Sequence, residues 1–281
     1  MGNALRPFPQ YLRINADCCL ENDGQTRYDS LQAVLQRRFH NGLTLLASYT
    51  WSKTLTDADS MIPGTNGGGG LYQNPFDKRQ EKAISSQDIP HTFVLSYLYS
   101  LPFGKGKMFL NRGTMLNEVV GGWTVGAVQR YESGQPLPFY CAAGIPGDDN
   151  CVRFNSVPNQ SPYNASVVAG NWNPFTTSFI NHGYFADPNQ NRGTGAFVLG
   201  NLPRVTGIRM PHYDQEDFAI TKNFLLHDGV NFVLRGEAFN AFNRHVFSEP
   251  YDLGPNDPNF GLVNSTVDAP RNLQVTVRIE F

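Results

Sequence analysis

Leu273-Gln274-Val275-Thr276-Val277-Arg278-Ile279-Glu280-Phe281 alternates apolar and polar residues without a break and stops on an aromatic. Side chains of a strand point to opposite faces with period two. Leu273, Val275, Val277, Ile279 and Phe281 therefore share one apolar face, and Gln274, Thr276, Arg278 and Glu280 share the other. One face suits hydrocarbon and the other suits water. A tilted strand of roughly 9–11 residues crosses a bilayer, and a wet interior behind a greasy exterior is the pattern of an outer-membrane barrel. The rival for this segment alone is an edge strand of a soluble sandwich.

The chain of 281 residues carries a net charge of −2, only 16% charged residues and 12% aromatics, with 27 Gly and 19 Pro. This balance argues against a disordered tail and against a nucleic-acid binder. No run approaches the roughly 18 apolar residues of a membrane helix, so insertion must be by strands, whose two faces cancel in any hydropathy average. Residues 1–9, MGNALRPFP, lack the basic start, apolar core and small-residue cleavage site of a secretory leader. An outer-membrane protein needs one, so either the protein is not exported or the sequence is the carboxy-terminal part of a longer chain, and the complete final strand beside a featureless beginning favours the second.

Eight segments carry strand character: 9–19, 26–39, 42–52, 92–101, 119–131, 212–224, 230–239 and 271–281. The alternation is clearest in 42–52, where Leu43, Leu45, Ala47, Tyr49 and Trp51 oppose Thr44, Leu46, Ser48 and Thr50. In 92–101, Phe93, Leu95, Tyr97, Tyr99 and Leu101 form the same kind of face. Trp123, Val125, Ala127 and Tyr131 continue it, as do Phe232, Leu234, Gly236 and Ala238. The opposite face carries Arg38, Arg130, Arg235, Glu237, Arg278 and Glu280, charges expected to line a lumen and to pair there.

The connections give a second test, because barrels keep short turns on the periplasmic side and long loops outside. Counting back from Phe281, the periplasmic set is His40-Asn41-Gly42, the stretch 101–119 with Gly104-Lys105-Gly106-Lys107, and Leu226-His227-Asp228-Gly229. Asn-Gly and Asp-Gly supply hairpin geometry. The external set is 20–25 and three long loops, 53–90, 132–211 and 243–270. Arg37 and Lys222 break the apolar face, but each lies just before a periplasmic turn, where a long side chain can snorkel to water. Tyr49, Trp51, Tyr97, Tyr99, Trp123 and Tyr131 are candidates for aromatic girdles, or for an ordinary core.

Several stretches are more specific. Tyr28-Asp29-Ser30-Leu31-Gln32 through Arg38-Phe39-His40-Asn41-Gly42-Leu43-Thr44, with Ala47-Ser48-Tyr49-Thr50-Trp51-Ser52-Lys53, resembles the carboxy-terminal barrel of TonB-dependent transporters of the Oar-like type. Asn74-Pro75-Phe76-Asp77, His91–Tyr97, Leu101–Lys107, Gly121-Gly122-Trp123, Ser133-Gly134-Gln135-Pro136 and Glu237-Ala238-Phe239-Asn240-Ala241-Phe242-Asn243 extend the likeness. The stretch 137–210 is the least recognisable. The resemblance implies an antiparallel transmembrane barrel of about 22 strands closed around a plug, of which about eight strands stand here. It implies energised uptake of an external solute or peptide at a Gram-negative cell outer membrane. The partners would be outer-membrane lipid, an external ligand, and a TonB complex acting through a plug that this chain lacks. The terminal aromatic strand resembles the signal read by the barrel-assembly machinery, with Val277, Ile279 and Phe281 the contacts. The alternative keeps the barrel as an anchor whose loops serve adhesion; a soluble sandwich or a complete eight-stranded barrel is the other.

Nothing in the sequence calls for catalysis, a metal or another cofactor. The six histidines have no metal-ligand spacing, no Ser sits in a nucleophile elbow, and Gly104–Lys107 lacks the full phosphate-loop pattern. Asp57/Asp59, Asp148/Asp149 and Asp252/Asp257 lack EF-hand spacing and read as solvated loop carboxylates. Cys141 and Cys151 fall in one long loop and form the natural disulfide candidate. Cys18 and Cys19 are adjacent and harder to place, so cross-pairing or free thiols stay open.

Overall fold

The structure, a computed structural model, describes residues 24–58, 73–74, 77–110, 119–139, 141–144, 151–190, 198–227, 229–250, 254 and 257–281. In chain order the strands are β1 (Thr26–His40), β2 (Leu43–Thr56), β3 (Ala83–Ile84), β4 (His91–Ser100), β5 (Trp123–Glu132), β6 (Ala143–Gly144), β7 (Cys151–Val152), β8 (Asn155–Ser156), β9 (Phe185–Ala186), β10 (Tyr213–His227), β11 (Val230–Phe239) and β12 (Asn272–Glu280). Seven are long, and these pair antiparallel in the order β1-β2-β4-β5-β10-β11-β12, with β3 added to the end of β2. The result is one open meander with β1 and β12 at its edges. Of the eight expected strands seven are present; the segment 9–19 lies outside the described residues.

The boundaries shift where local chemistry dictates. The expected strand at 119–131 starts only at Trp123, because Gly121-Gly122 form a bend in which Gly122 has φ +72°. β2 runs on to Thr56, and β10 to His227. The β1–β2 turn is built as its sequence dictates, with positive φ at both Asn41 (52°) and Gly42 (82°), the twist that suits a two-residue hairpin.

All connections at one end of the sheet, 41–42, 101–122 and 228–229, are shorter than those at the other, 57–90, 133–212 and 240–271. The apolar core belongs to this long-loop end rather than to the sheet. Leu137, Phe154, Phe179, Ile180, Phe185, Leu202, Ile208, Phe260 and Val263 form one buried cluster, all in loops. Among the described side chains of the long strands only Ala127 is a buried apolar residue. A sheet with both faces open and its hydrophobic core elsewhere is a wall, not half of a sandwich. No helix among the described residues is long and apolar enough to cross a membrane.

Candidate functional site: a two-faced wall beneath a packed loop layer

Cross-strand register carries each face across the sheet and shifts only beside two short turns, between Arg37 and His40 and between Leu225 and His227. Leu45, Tyr97, Ala127, Phe218, Ala238 and Leu273 form one continuous row over six strands, and Leu43, Tyr99, Val125, Ile220, Gly236 and Val275 form the next. Towards the short-turn end follow Trp123, Lys222, Leu234 and Val277, then Phe224, Phe232 and Ile279. On β12 these residues meet no protein layer: Leu273, Val275, Val277 and Ile279 are 57–74% exposed. Aromatic residues mark both borders of the apolar band. At the long-loop border Tyr49 Oη lies 2.8 Å from His91 Nδ1, and Phe93 stacks on Tyr131 at 6.2 Å. At the short-turn border stand Tyr99, Trp123, Phe224 and Phe232.

Two of the polar residues on this face, Lys222 and Glu216, are buried and are neutralised in different ways, whereas Arg37, just before the β1–β2 turn, is exposed. Lys222 does not snorkel to water as expected from its position. It is 2% exposed, its amine donates to the Gly121 carbonyl, and it lies 4.7 Å from the Phe224 ring centroid and 5.6 Å from that of Trp123. An ammonium over aromatic faces and on a carbonyl is attracted by the ring quadrupoles and by the carbonyl dipole in place of bulk water. Glu216, near the long-loop border, is buried beneath the start of the β11–β12 connection. Arg244 pairs with it at 3.2 Å, and Phe242 packs edge-on against Phe218 at 5.8 Å. The hydrogen bond to Glu216 holds the Arg244 guanidinium above its ordinary range.

The other face carries the charges in pairs along single strands. Arg235 reaches Glu237 at 2.7 Å, Arg278 pairs with Glu280, and Arg130 takes Glu132, at 2.7 Å. Each is an Arg-x-Glu step, two residues apart and so on one face, a repeat that the sequence contains but that only pairing of positions i and i+2 makes visible. Arg38 is exposed but falls within the register irregularity between Arg37 and His40, so pairing does not assign it to the polar face. An apolar island of Leu46, Leu98 and Val128 interrupts the polar surface beside Gly126. With Asp217, Arg235 and Glu237 it lines a hollow of about 390 Å³.

At the long-loop end buried polar groups bind the loops to one another and to the sheet. Gln73 donates from Nε2 to Gly200 O (3.0 Å) and accepts on Oε1 from Gly200 N (3.0 Å) and Arg153 N (2.7 Å). Glu81 pairs with Arg153, whose guanidinium burial pushes below its ordinary range while the carboxylate opposes the shift. Arg204 donates to Glu81 O (3.1 Å) and to Thr56 O (2.8 Å) at the end of β2. Arg209 pairs with Asp88, which also accepts from Thr54 N (2.6 Å). Short helical turns begin at Asp77, Asn164 and Asn181, each of which accepts from a backbone N–H two residues on. Asn240 (φ 47°) turns the chain out of β11, bonding Asp217, Arg244 and Ala269, while Asn243 accepts from Arg271 N (3.0 Å).

A family model described as an outer membrane beta barrel domain matches residues 1–274. The chain belongs to that family. No curated protein and no solved structure matches it. The apolar band is accordingly the lipid-facing surface of an outer-membrane β-barrel wall, and the protein resides in the outer membrane. Across nine residues, Leu43 to Trp51, a strand tilted by about 40° spans roughly 20 Å, close to the band such barrels present to lipid.

On this β-barrel wall Val277 and Ile279 sit on the lipid-facing surface opposite Leu234 and Phe232, and Phe281 is fully exposed. Cys141 is disulfide-bonded, and the β6–β7 pairing sets Gly144 against Cys151 in the same loop. Cys18 and Cys19 lie outside the described residues. Sequence reasoning missed Gln73, Glu81, Arg153, Arg204 and Arg209, which are polar loop residues with no periodic signal. It also missed Glu132 and Glu216.

Proposed function

We propose that this outer-membrane β-barrel wall belongs to a TonB-dependent receptor of the Oar-like type that takes up an external solute or peptide. The long loops face outward, the short turns face the periplasm, and the polar face lines the lumen. The observation that carries this reading is the loop layer. An anchor needs only enough loop to connect strands, whereas these loops hold the molecule's apolar core and two ion pairs with buried carboxylates. A preformed surface of that kind orders a binding site before the ligand arrives, which limits the entropy lost on capture. The lumen-side hollow, with an apolar island flanked by Arg235, Glu237 and Asp217, supplies mixed contacts along the path inward. The family-like segments quoted from the sequence support the same assignment.

The test compares the parent strain, a deletion of the full-length gene, and the parent treated with a proton-motive-force uncoupler. The depletion of solutes and peptides from a defined medium is followed in each. At least one solute should persist both in the deletion and under uncoupling, and the full-length protein should capture the periplasmic domain of TonB. Unchanged depletion of every solute together with lost surface adherence would favour the anchoring alternative.

A further inference from the structure

The connection 101–122 is the longest at the short-turn end, and its described part is a compact hydrogen-bonded loop, closed by a parallel bridge between Phe103 and Phe109, rather than a slack link. Phe109 N donates to Pro102 O (2.9 Å), Gly104 N to Phe109 O (3.0 Å) and Lys107 N to Gly104 O (3.0 Å). The rings of Phe103 and Phe109 lie 6.0 Å apart. Gly104 has φ +108°, and a Cβ there would stand 2.7 Å from Gly121 Cα, so the loop is seated directly on the bend that starts β5. That bend is the one whose carbonyl Lys222 holds between the lipid-facing rings of Trp123 and Phe224. The loop therefore continues the lipid-facing surface at its border.

Its outer surface is of two kinds. Lys105 and Lys107 are exposed at the tip, and Met108, Phe109 and Leu110, 51–76% exposed, follow immediately. Over the whole connection Lys105, Lys107 and Arg112 stand against one acid, Glu118. Basic side chains beside exposed apolar ones, at the edge of a hydrocarbon band, match a bilayer interface where phosphates lie next to acyl chains.

We propose that residues 102–110 form a docking surface for anionic phospholipids of the periplasmic leaflet. Lys105 and Lys107 engage headgroup phosphates, and Met108, Phe109 and Leu110 dip into the acyl boundary. This rests on the sidedness given under Proposed function.

The test places the photo-crosslinking residue p-benzoylphenylalanine at Phe109 in the full-length protein, in the native outer membrane, with Val275 as the lipid-facing control. Adducts are identified by mass spectrometry. Phospholipid adducts enriched in phosphatidylglycerol and cardiolipin over their share of the membrane are expected. Lys105→Glu with Lys107→Glu should erase that enrichment, each lysine near an anionic leaflet being worth roughly fivefold. Where the double reversal blocks insertion, Lys105→Gln with Lys107→Gln is read instead and should show a smaller fall. Adducts only with protein, lipid adducts in bulk proportion, or enrichment that survives the substitutions would overturn the docking surface while leaving sidedness intact. Lipopolysaccharide adducts would overturn the sidedness itself.

Discussion

Arg153 and Glu81 form an ion pair across 72 residues of sequence, with the side chains 9% and 0% exposed. The pair joins two separate long loops. Glu81 also accepts from Gln73 N at 3.0 Å, and its own carbonyl accepts from Arg204, so one residue holds three segments. Removing one member of a buried pair strands the other's charge, at about 3–5 kcal/mol, whereas replacing both with apolar residues is often neutral. Glu81→Ala should therefore loosen the loop layer, and Glu81→Leu with Arg153→Met should restore most of the loss. Protease half-life of the folded, detergent-solubilised protein reads this: equal half-lives for parent and Glu81→Ala would refute the role given to the pair.

Phe185 sits in the centre of the loop core, with ring centroids 4.6 Å from Phe139, 5.4 Å from Phe260 and 6.1 Å from Phe154. Phe260 comes from the β11–β12 connection, so this cluster fastens two long loops together. Phe185→Ala should cost the layer about 3–5 kcal/mol through the cavity it leaves. Phe175, 88% exposed, is the internal control, since Phe175→Ala removes no packing. Chemical denaturation followed by the near-UV signal of the loop aromatics separates the two. A comparable change in both variants would contradict the packing described.

The wall was legible in the sequence because a strand writes its two faces with period two. Leu43 to Trp51 and Leu273 to Ile279 needed only alternation, and Asn41-Gly42 announced its turn. The loop layer was not legible, because the contacts that bind one loop to another are distant in sequence. Gln73 meets Gly200 across 127 residues and Arg209 meets Asp88 across 121, with nothing local to mark either. The Asn- and Pro-rich stretches that read as solvated loop instead cap short helical turns and cover aromatics. Lys222 was correctly placed on the apolar face, but its partner, the Gly121 carbonyl, arises from a bend that alternation had assigned to a strand.

Cys141 should be joined to Cys151. The β6–β7 hairpin pairs Ala143 with Val152 and Gly144 with Cys151, which holds the two cysteine-bearing segments side by side. Non-reducing peptide mapping of protein from the envelope should recover one peptide containing both. A free Cys141, or one joined to Cys18 or Cys19, would reject the pairing.

Phe281 is fully exposed at the end of an edge strand whose outer backbone groups are unpaired among the described residues, with Ile279 and Val277 exposed on the same face. An edge of this kind is a template for another chain, the mode by which an assembly factor can hold a nascent barrel. Deleting Phe281 from the full-length protein should lower the heat-modifiable form in the outer-membrane fraction. Undiminished folded barrel there would remove the case for Val277, Ile279 and Phe281 as an assembly signal.

The two faces of β12 can be separated by moving one charge by one residue. Val275 lies inside β12 between the lipid-facing Leu273 and Val277, away from both strand ends, whereas Gln274 lies directly opposite Glu237 on the polar face. A lysine at the bilayer midplane costs about 2–4 kcal/mol. One opposite a carboxylate on a wet face is stabilising by a fraction of that. Val275→Lys should thus sharply reduce folding into phospholipid vesicles, and Gln274→Lys should leave it unchanged or slightly improved, both read by heat-modifiable gel mobility. If the register were shifted by a single residue the two results would exchange, because such a slip turns every side chain to the other face.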